Sequence, residues 1–277
     1  MRERRKIRSY FLTVVTLATA AILVLTTSSR AQSSRNLTPL QLEIEKQEQR
    51  LKSGDEEERR DALMRLGALH RPAASRLALP LLNDPSPIVR VMATKAILSL
   101  DPEESAAALL PLLNDKDEFV RREAAYALGL TRSRSATASL TDHLLNDKDA
   151  GVRGAAAVAL GRIGDENAVL ALAGTLAPQL SQPAKGKRKP ENNEFVLRAA
   201  ATALGQIKNR AGTPALIAAL NNEKFPQYVR REAARSLGLI GDPAAIPALK
   251  SASTSEDPFL SELAFQALRK FSLGSTP

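Results

Sequence analysis

The chain has 277 residues, with 39 Lys or Arg and 30 Asp or Glu, so its formal net charge is +9. It contains no cysteine, which excludes disulfides and a lipid-modified N-terminal cysteine as sources of stability or anchoring. Aromatic residues make up only 4%, and alanine and leucine are abundant. This composition favours closely stacked helices over a globular core built on large rings.

Residues 1–31 have the layout of a secretory signal peptide. A basic start, 1–8, precedes sixteen uncharged residues, 10–25, and then Ser-Arg-Ala at 29–31, where small residues suit signal peptidase. The uncharged run is shorter than a membrane-spanning helix, which needs about 18 residues or more. We therefore expect cleavage after Ala31 and a periplasmic or extracellular protein. The alternative is an inner-membrane anchor at residues 10–25.

Most of the positive charge lies outside the predicted fold. Residues 1–31 hold six Lys or Arg and one Glu, which leaves 33 basic and 29 acidic residues, a net charge of +4. An insertion supplies +3 of this through Lys185, Lys187, Arg188 and Lys189, less Glu191. The remainder is nearly neutral, which argues against a surface that follows nucleic-acid phosphates.

The first predicted helix follows a short linker at residues 32–37. Thr38 is a good N-cap, Pro39 suits the first helical position, and Gln41 completes a capping box. The apolar residues expected to face inward are Leu40, Ile44 and Leu51. The other face is polar, as expected of a cap on a repeat array.

One helical segment occurs in seven similar copies along the chain. The segments 119–129 and 228–238 share eight of eleven residues. The copies end at residues 67, 98, 129, 161, 205, 238 and 269. Their spacings are 31, 31, 32, 44, 33 and 31 residues, so one insertion interrupts a steady period.

Each copy predicts the second helix of a hairpin. Val120, Ala124, Ala127 and Leu128 fall on one helical face, and a second apolar segment precedes each copy. We interpret Gly129, Gly161, Gly205 and Gly238 as left-handed C-terminal residues of these helices. The predicted fold is an all-α solenoid of about seven hairpins at residues 38–273. A flexible basic insertion at 179–193 interrupts it, and a disordered tail, 274–277, ends it.

The motif of Val-Arg followed by two small residues and Leu-Gly resembles HEAT repeats, especially the short HEAT-like units named after phycobilin lyases. The resemblance covers nearly the whole chain after the signal peptide. It implies a right-handed α-solenoid in which the second helix of each pair lines the concave side. It says little about activity, because such scaffolds serve many purposes.

An arginine follows the valine in most copies, and we call these the motif arginines: Arg59, Arg90, Arg121, Arg153 and Arg230. Asp84, Asp115 and Asp147 lie six residues before Arg90, Arg121 and Arg153, in the turn that enters the same helix. We predict structural pairs in which the guanidinium binds the turn carboxylate and nearby carbonyls, tying a hairpin to itself or to the next. The alternative is a row of ligand-binding arginines.

The position after the motif arginine, and the position four residues later, share the exposed side of the second helix. Arginine and tyrosine are enriched in interface cores, so these positions predict a concave surface for a partner. The candidates are Arg122, Tyr126, Arg198, Arg231 and Arg235. The alternative is a solvated helix face. Lys185, Lys187, Arg188 and Lys189 could contact a membrane surface, or belong to a solvated loop.

The sequence contains few motifs that would indicate an enzyme. His70 and His143 are the only histidines, and neither is followed by Glu, whereas a HEAT-like di-iron hydroxylase needs several His-Glu pairs. No phosphate-binding glycine loop is present in the sequence. We expect no catalytic residues, no metal and no cofactor.

The sequence therefore favours an exported, non-catalytic, monomeric scaffold that binds a protein partner and no nucleic acid. A phycobilin-lyase-like or chaperone-like factor is the alternative.

Overall fold

The computed structural model describes residues 37–177 and 191–273. These residues form α-helices and short 3-10 turns, with no β-strand among them. The predicted signal peptide, the linker up to residue 36, most of the basic insertion and the tail 274–277 lie outside the described residues. No helix within the described ranges is long and apolar enough to cross a bilayer.

The first helix begins with the predicted capping box. The Thr38 backbone N–H donates to Gln41 Oε1 at 2.8 Å, and the Gln41 N–H donates to Thr38 Oγ1 at 3.3 Å. The predicted inward stripe is partly wrong, because Leu40 is 39% exposed whereas Gln47 is fully buried. Burial of this amide is tolerated because it donates to the carboxylate four residues earlier, at 2.8 Å.

The helices fall into two sets. The first helix, α1, spans Pro39–Arg50. The second helices of the repeats are α2 Glu56–Ala68, α4 Pro87–Ala96, α6 Glu118–Thr131, α8 Ala150–Ile163, α10 Glu194–Ile207, α12 Gln227–Ile240 and α14 Pro258–Leu273. The shorter first helices are α3 Pro72–Ala78, α5 Pro102–Leu109, α7 Thr137–Asn146, α9 Val169–Leu176, α11 Thr213–Asn221 and α13 Ile246–Ala252.

From residue 53 onward the helices form an all-α solenoid. Consecutive second helices pack against each other, and from α4 onward each second helix also packs against the first helix of its own hairpin. The predicted inward face is confirmed in α6, where Val120, Ala124, Ala127 and Leu128 are all buried. Because the core consists mainly of alanine and leucine, neighbouring helices approach closely.

The repeated glycines allow this close approach instead of ending the helices. A Cβ added at Gly129 would lie 2.7 Å from the Ala159 Cα on the next second helix, and one at Gly161 would lie 2.8 Å from the Ala203 Cα. The left-handed C-terminal residue of α8 is Gly164, three positions later. Our interpretation of these glycines as C-terminal residues was wrong, because helix-to-helix contact is a tertiary constraint that the local pattern does not distinguish from a cap.

Substituting Gly129→Val should lower the free energy of unfolding by about 1–3 kcal/mol, because the added carbons meet the backbone of α8. Chemical denaturation followed by circular dichroism measures the change. The control is Gly54→Ala, where an added Cβ meets nothing within 4 Å; it should change stability by less than about 0.5 kcal/mol. Equal stability of the valine variant and the wild type would contradict the close packing.

Four of the five motif arginines join consecutive repeats. Arg90 Nε and Nη2 donate to the Asp115 carboxylate at 2.7 and 2.8 Å, and its Nη1 donates to the carbonyls of Asp84 and Pro85 at 2.8 and 3.2 Å. We call this arrangement the arginine clamp. The same geometry links Arg59 to Asp84, Arg121 to Asp147 and Arg153 to Glu191.

The predicted pairing within one turn therefore requires correction. Each clamp arginine binds a carbonyl of its own turn, but the carboxylate that it binds lies in the turn of the following repeat, as Arg90 with Asp115 shows. The intervals are 25 residues for Arg90 and 26 for Arg121. The pairing depends on how hairpins stack, so proximity in sequence pointed to the wrong aspartate.

The basic insertion is shorter than the predicted 179–193. Its last residues belong to the fold, because Glu191 accepts hydrogen bonds from Arg153 Nε at 2.7 Å and from the Asn193 backbone N–H at 2.9 Å. Asn193 in turn caps α10. Lys185, Lys187, Arg188 and Lys189 lie outside the described residues.

The clamps are interrupted after the fourth repeat junction. Leu197 replaces the motif arginine in α10 and is buried. In α12, Arg230 Nε donates to the Leu220 carbonyl at 3.0 Å, while Arg231 makes the bidentate contact with Asp257, at 2.8 Å for both bonds. Arg231 thus serves the structural role that we predicted for Arg230.

Two of the clamp carboxylates, Asp147 and Asp115, have a pKa below the ordinary value. Burial acts to raise the pKa of Asp147, but hydrogen bonds from Arg121, the Asp149 backbone N–H and His143 outweigh it, so the pKa lies below its ordinary value. The pKa of Asp115 is lowered in the same way, with Arg90 opposing the effect of burial. These carboxylates stay charged at neutral pH and contribute to stability in that form.

Replacing Arg121 by Gln should lower the free energy of unfolding at neutral pH by about 3 kcal/mol, because the Asp147 side chain, only 4% exposed, loses its guanidinium partner. The difference should shrink in acid. A carboxyl pKa lowered on folding stabilises the protein above the unfolded pKa of about 3.9, and this contribution is lost as the pH falls through the folded pKa. Urea titrations of both proteins across the acid range measure it.

The matched control is Arg76→Gln, which breaks an exposed inter-repeat pair with Glu104. It should cost less than about 1 kcal/mol, because water screens that pair. If the two variants lost the same stability, the clamp would contribute nothing beyond a surface ion pair.

Candidate interaction surface

The candidate surface lies on the second helices, where we define the stacked face by Arg122, Tyr126, Arg198 and Arg235. Arg122 and Tyr126 are half-buried on α6, and Arg198 and Arg235 are exposed on α10 and α12. They project from helices whose opposite side forms the core, as predicted. Truncating them should therefore leave no internal cavity.

Arg122 is held against a ring instead of a carboxylate. Its guanidinium lies 4.9 Å from the Phe119 ring centroid, and its δ carbon lies 3.6 Å from where a Cβ on Gly151 would stand. Among the described residues Arg122 has no ion-pair partner. The Phe119 ring and Gly151 restrict the Arg122 side chain. Binding of its charge by a partner would therefore cost little additional side-chain entropy.

Arg198 and Arg235 extend the positive charge along the second helices. Arg198 has no carboxylate partner in the described part of the chain. Arg235 Nη1 lies 3.9 Å from Glu232 Oε2, with 63% of the arginine side chain exposed, so the pair is loose. Both guanidinium groups can therefore bind carboxylates of another molecule.

Arg231 does not belong to the stacked face. Its side chain is 19% exposed, and it lies between the Tyr228 ring at 5.2 Å and the Phe259 ring at 4.8 Å while it binds Asp257. The prediction of Arg231 as a free binding residue is corrected, because the carboxylate of the next repeat already satisfies it. The pKa of Asp257 is lowered, chiefly by the hydrogen bond from Arg231.

A row of exposed rings, which our sequence analysis missed, borders the stacked face. Phe119, Tyr228 and Phe259 are 51%, 58% and 66% exposed, and each stands at the second position of a second helix. We call them the exposed rings. The signal was available, since all three precede the Val-Arg position of the repeat. Phe195, at the same position, is half-buried because it covers Gly154.

The two histidines of the chain have different surroundings. His143 Nδ1 lies 3.2 Å from an Asp147 oxygen that also accepts from Arg121. His70 is exposed in a left-handed conformation, with φ of 49°. Within residues 37–177 and 191–273, no group of three or more His, Asp or Glu side chains could hold a metal ion.

Several solved structures are similar to this chain. An engineered protein matches at 22% identity over 85% of this chain and 69% of its own, with a TM-score of 0.53. The complex of CpcE and CpcF of phycocyanin lyase from Nostoc matches at 22% identity over 87% and 90%, with a TM-score of 0.48. Human deoxyhypusine hydroxylase matches at 21% identity over 83% and 84%, with a TM-score of 0.43.

A search of curated proteins gave no significant match. The family model for HEAT repeats matches residues 44–129, 107–179 and 189–269, which together cover most of the chain. The matched ranges include the stacked second helices and the clamp residues. This protein belongs to the HEAT repeat family.

Proposed function

We propose that this chain is an exported, non-catalytic scaffold that binds another protein through the stacked face. The observation that carries the proposal is the combination of unpaired or loosely paired arginines with exposed rings on the second helices α6, α10, α12 and α14. Aromatic and arginine side chains are the residue types enriched in the cores of protein interfaces. HEAT repeats commonly present such helical surfaces to other proteins.

A protein partner suits this surface better than nucleic acid does. Apart from residues 1–31 and 179–193, the chain carries 29 basic and 28 acidic residues, so it offers no extended positive surface for phosphates. The arginines of the stacked face are few, they lie on different helices, and aromatic rings and carboxylates lie near them. Such a mixture fits side chains of an interface, where local charge complementarity gives specificity.

Substituting Arg122, Tyr126, Arg198 and Arg235 together by alanine should weaken binding of the native partner by about 2 kcal/mol or more, roughly thirtyfold, without unfolding the protein. The partner is first recovered from envelope fractions with the wild-type chain. Titration calorimetry with the purified pair then gives the affinity of each variant, and circular dichroism checks the fold.

The matched control changes exposed residues on first helices, Leu170→Ala together with Lys250→Ala. This variant should bind the partner as the wild type does. If the control lost affinity and the quadruple variant kept it, binding would belong to the first-helix side. A partner that is covalently changed during incubation would instead favour the lyase-like or chaperone-like alternative.

Export is part of the same proposal and rests on residues 1–31. We expect the mature chain to begin at Gln32, because the basic start, the uncharged run and the small residues at 29 and 31 occur in the order that signal peptidase requires. N-terminal sequencing of the protein from a periplasmic fraction measures this. An intact Met1 in a membrane pellet would support the anchor instead, and a cytoplasmic product would refute export.

A further inference from the structure

The repeat that contains Arg230 lacks one element of the arginine clamp. Arg59, Arg90, Arg121 and Arg153 each bind a carboxylate in the turn of the next repeat. In the last repeat, Ser255 stands at that position: its hydroxyl accepts from the Asp257 backbone N–H at 3.2 Å, as Asp115 accepts from the Asp117 N–H. The fold therefore places a hydroxyl where the four clamp junctions have a carboxylate.

At Arg230 the motif arginine is present, but its anionic partner is absent from the described residues. It is half-buried, its Nε donates to the Leu220 carbonyl at 3.0 Å, and within the described residues no carboxylate forms an ion pair with it. Neither Nη group makes a hydrogen bond to the described chain. A guanidinium with two parallel free donors has the geometry that binds a carboxylate in bidentate fashion.

Arg230 lines a cleft between α11, α12 and α13. The cleft has a volume of about 500 Å³, within the range of small-ligand sites. One wall is apolar and includes Ile217, Pro247 and Ala248, and Glu223 lies on the polar side. A carboxylate at Arg230 would therefore have an apolar surface and a hydrogen-bond acceptor within the same cleft.

We propose that this cleft binds the α-carboxylate of an apolar amino-acid residue. The carboxylate accepts hydrogen bonds from the two Nη groups of Arg230, the apolar side chain lies against Ile217 and Pro247, and the N–H of the same residue donates to Glu223. The negative charge of Glu223 disfavours phosphate and other dianions. The chemistry fits the C-terminus of a polypeptide or a free amino acid. The proposal is independent of the stacked face.

Titration calorimetry of the full-length chain tests the cleft with N-acetyl-Ala-Ala-Leu, the amide of the same tripeptide, and free leucine. We expect the acid to bind and the amide to bind at least tenfold more weakly, because the amide lacks the charge. Binding of the acid by Arg230→Gln should likewise fall at least tenfold. Arg210→Gln, which removes an exposed arginine of the same hairpin outside the cleft, should bind like the wild type.

A second variant avoids dependence on Arg230 for folding. Ser251→Tyr fills the cleft from α13 without altering the arginine, and it should also abolish binding. Leucine binding equal to that of the peptide acid would assign the site to free amino acids, and peptide binding alone would assign it to chain termini. Equal binding of acid and amide, unchanged binding by both cleft variants, or no binding by the wild type would overturn the proposal.

Discussion

The arginine clamp is the interaction on which the order of this solenoid depends. One guanidinium satisfies the carbonyls that end its own turn and, through its other two donors, a carboxylate of the following repeat. The clamp therefore joins the turns of two consecutive repeats. Contacts between alanine and leucine side chains alone would define the relative position of these turns less specifically. Because the carboxylate also accepts the backbone N–H two residues later, a single side chain fixes both the turn and the junction.

Close helix packing and the clamps act at different ends of the same interface. Gly129 and Gly161 let the helices touch along their C-terminal halves, whereas the arginines tie the N-terminal turns. With both ends fixed, the residues between them on the opposite face are presented at regular intervals. The residues proposed to bind a partner, Arg122, Arg198 and Arg235, lie on this opposite face of α6, α10 and α12, although long stretches of sequence separate them.

Two junctions between repeats lack one half of the arginine clamp, and one of them leaves an arginine without a carboxylate partner. At Leu197 the guanidinium is replaced by a buried aliphatic side chain, which removes the need for a carboxylate. At Ser255 the opposite change has occurred, since the carboxylate is absent while Arg230 remains. The neighbouring Arg231 holds that junction through Asp257, so Arg230 is not required for the contact. A repeat protein can thus create a binding group by altering one half of a structural pair.

The sequence by itself determined the helical hairpins, their period, the buried face of each second helix and the cap at Thr38, because these follow from spacings within a single helix and its turn. It also identified Arg59, Arg90, Arg121 and Arg153 as structural residues, although it assigned the structural role in α12 to Arg230 instead of Arg231. Only the tertiary structure decided that Asp115 serves Arg90, that Gly129 meets Ala159 and that Arg231 is clamped while Arg230 is not. These contacts join residues in adjacent repeats, and the stacking offset between hairpins, which no local pattern encodes, selects the partner of each side chain.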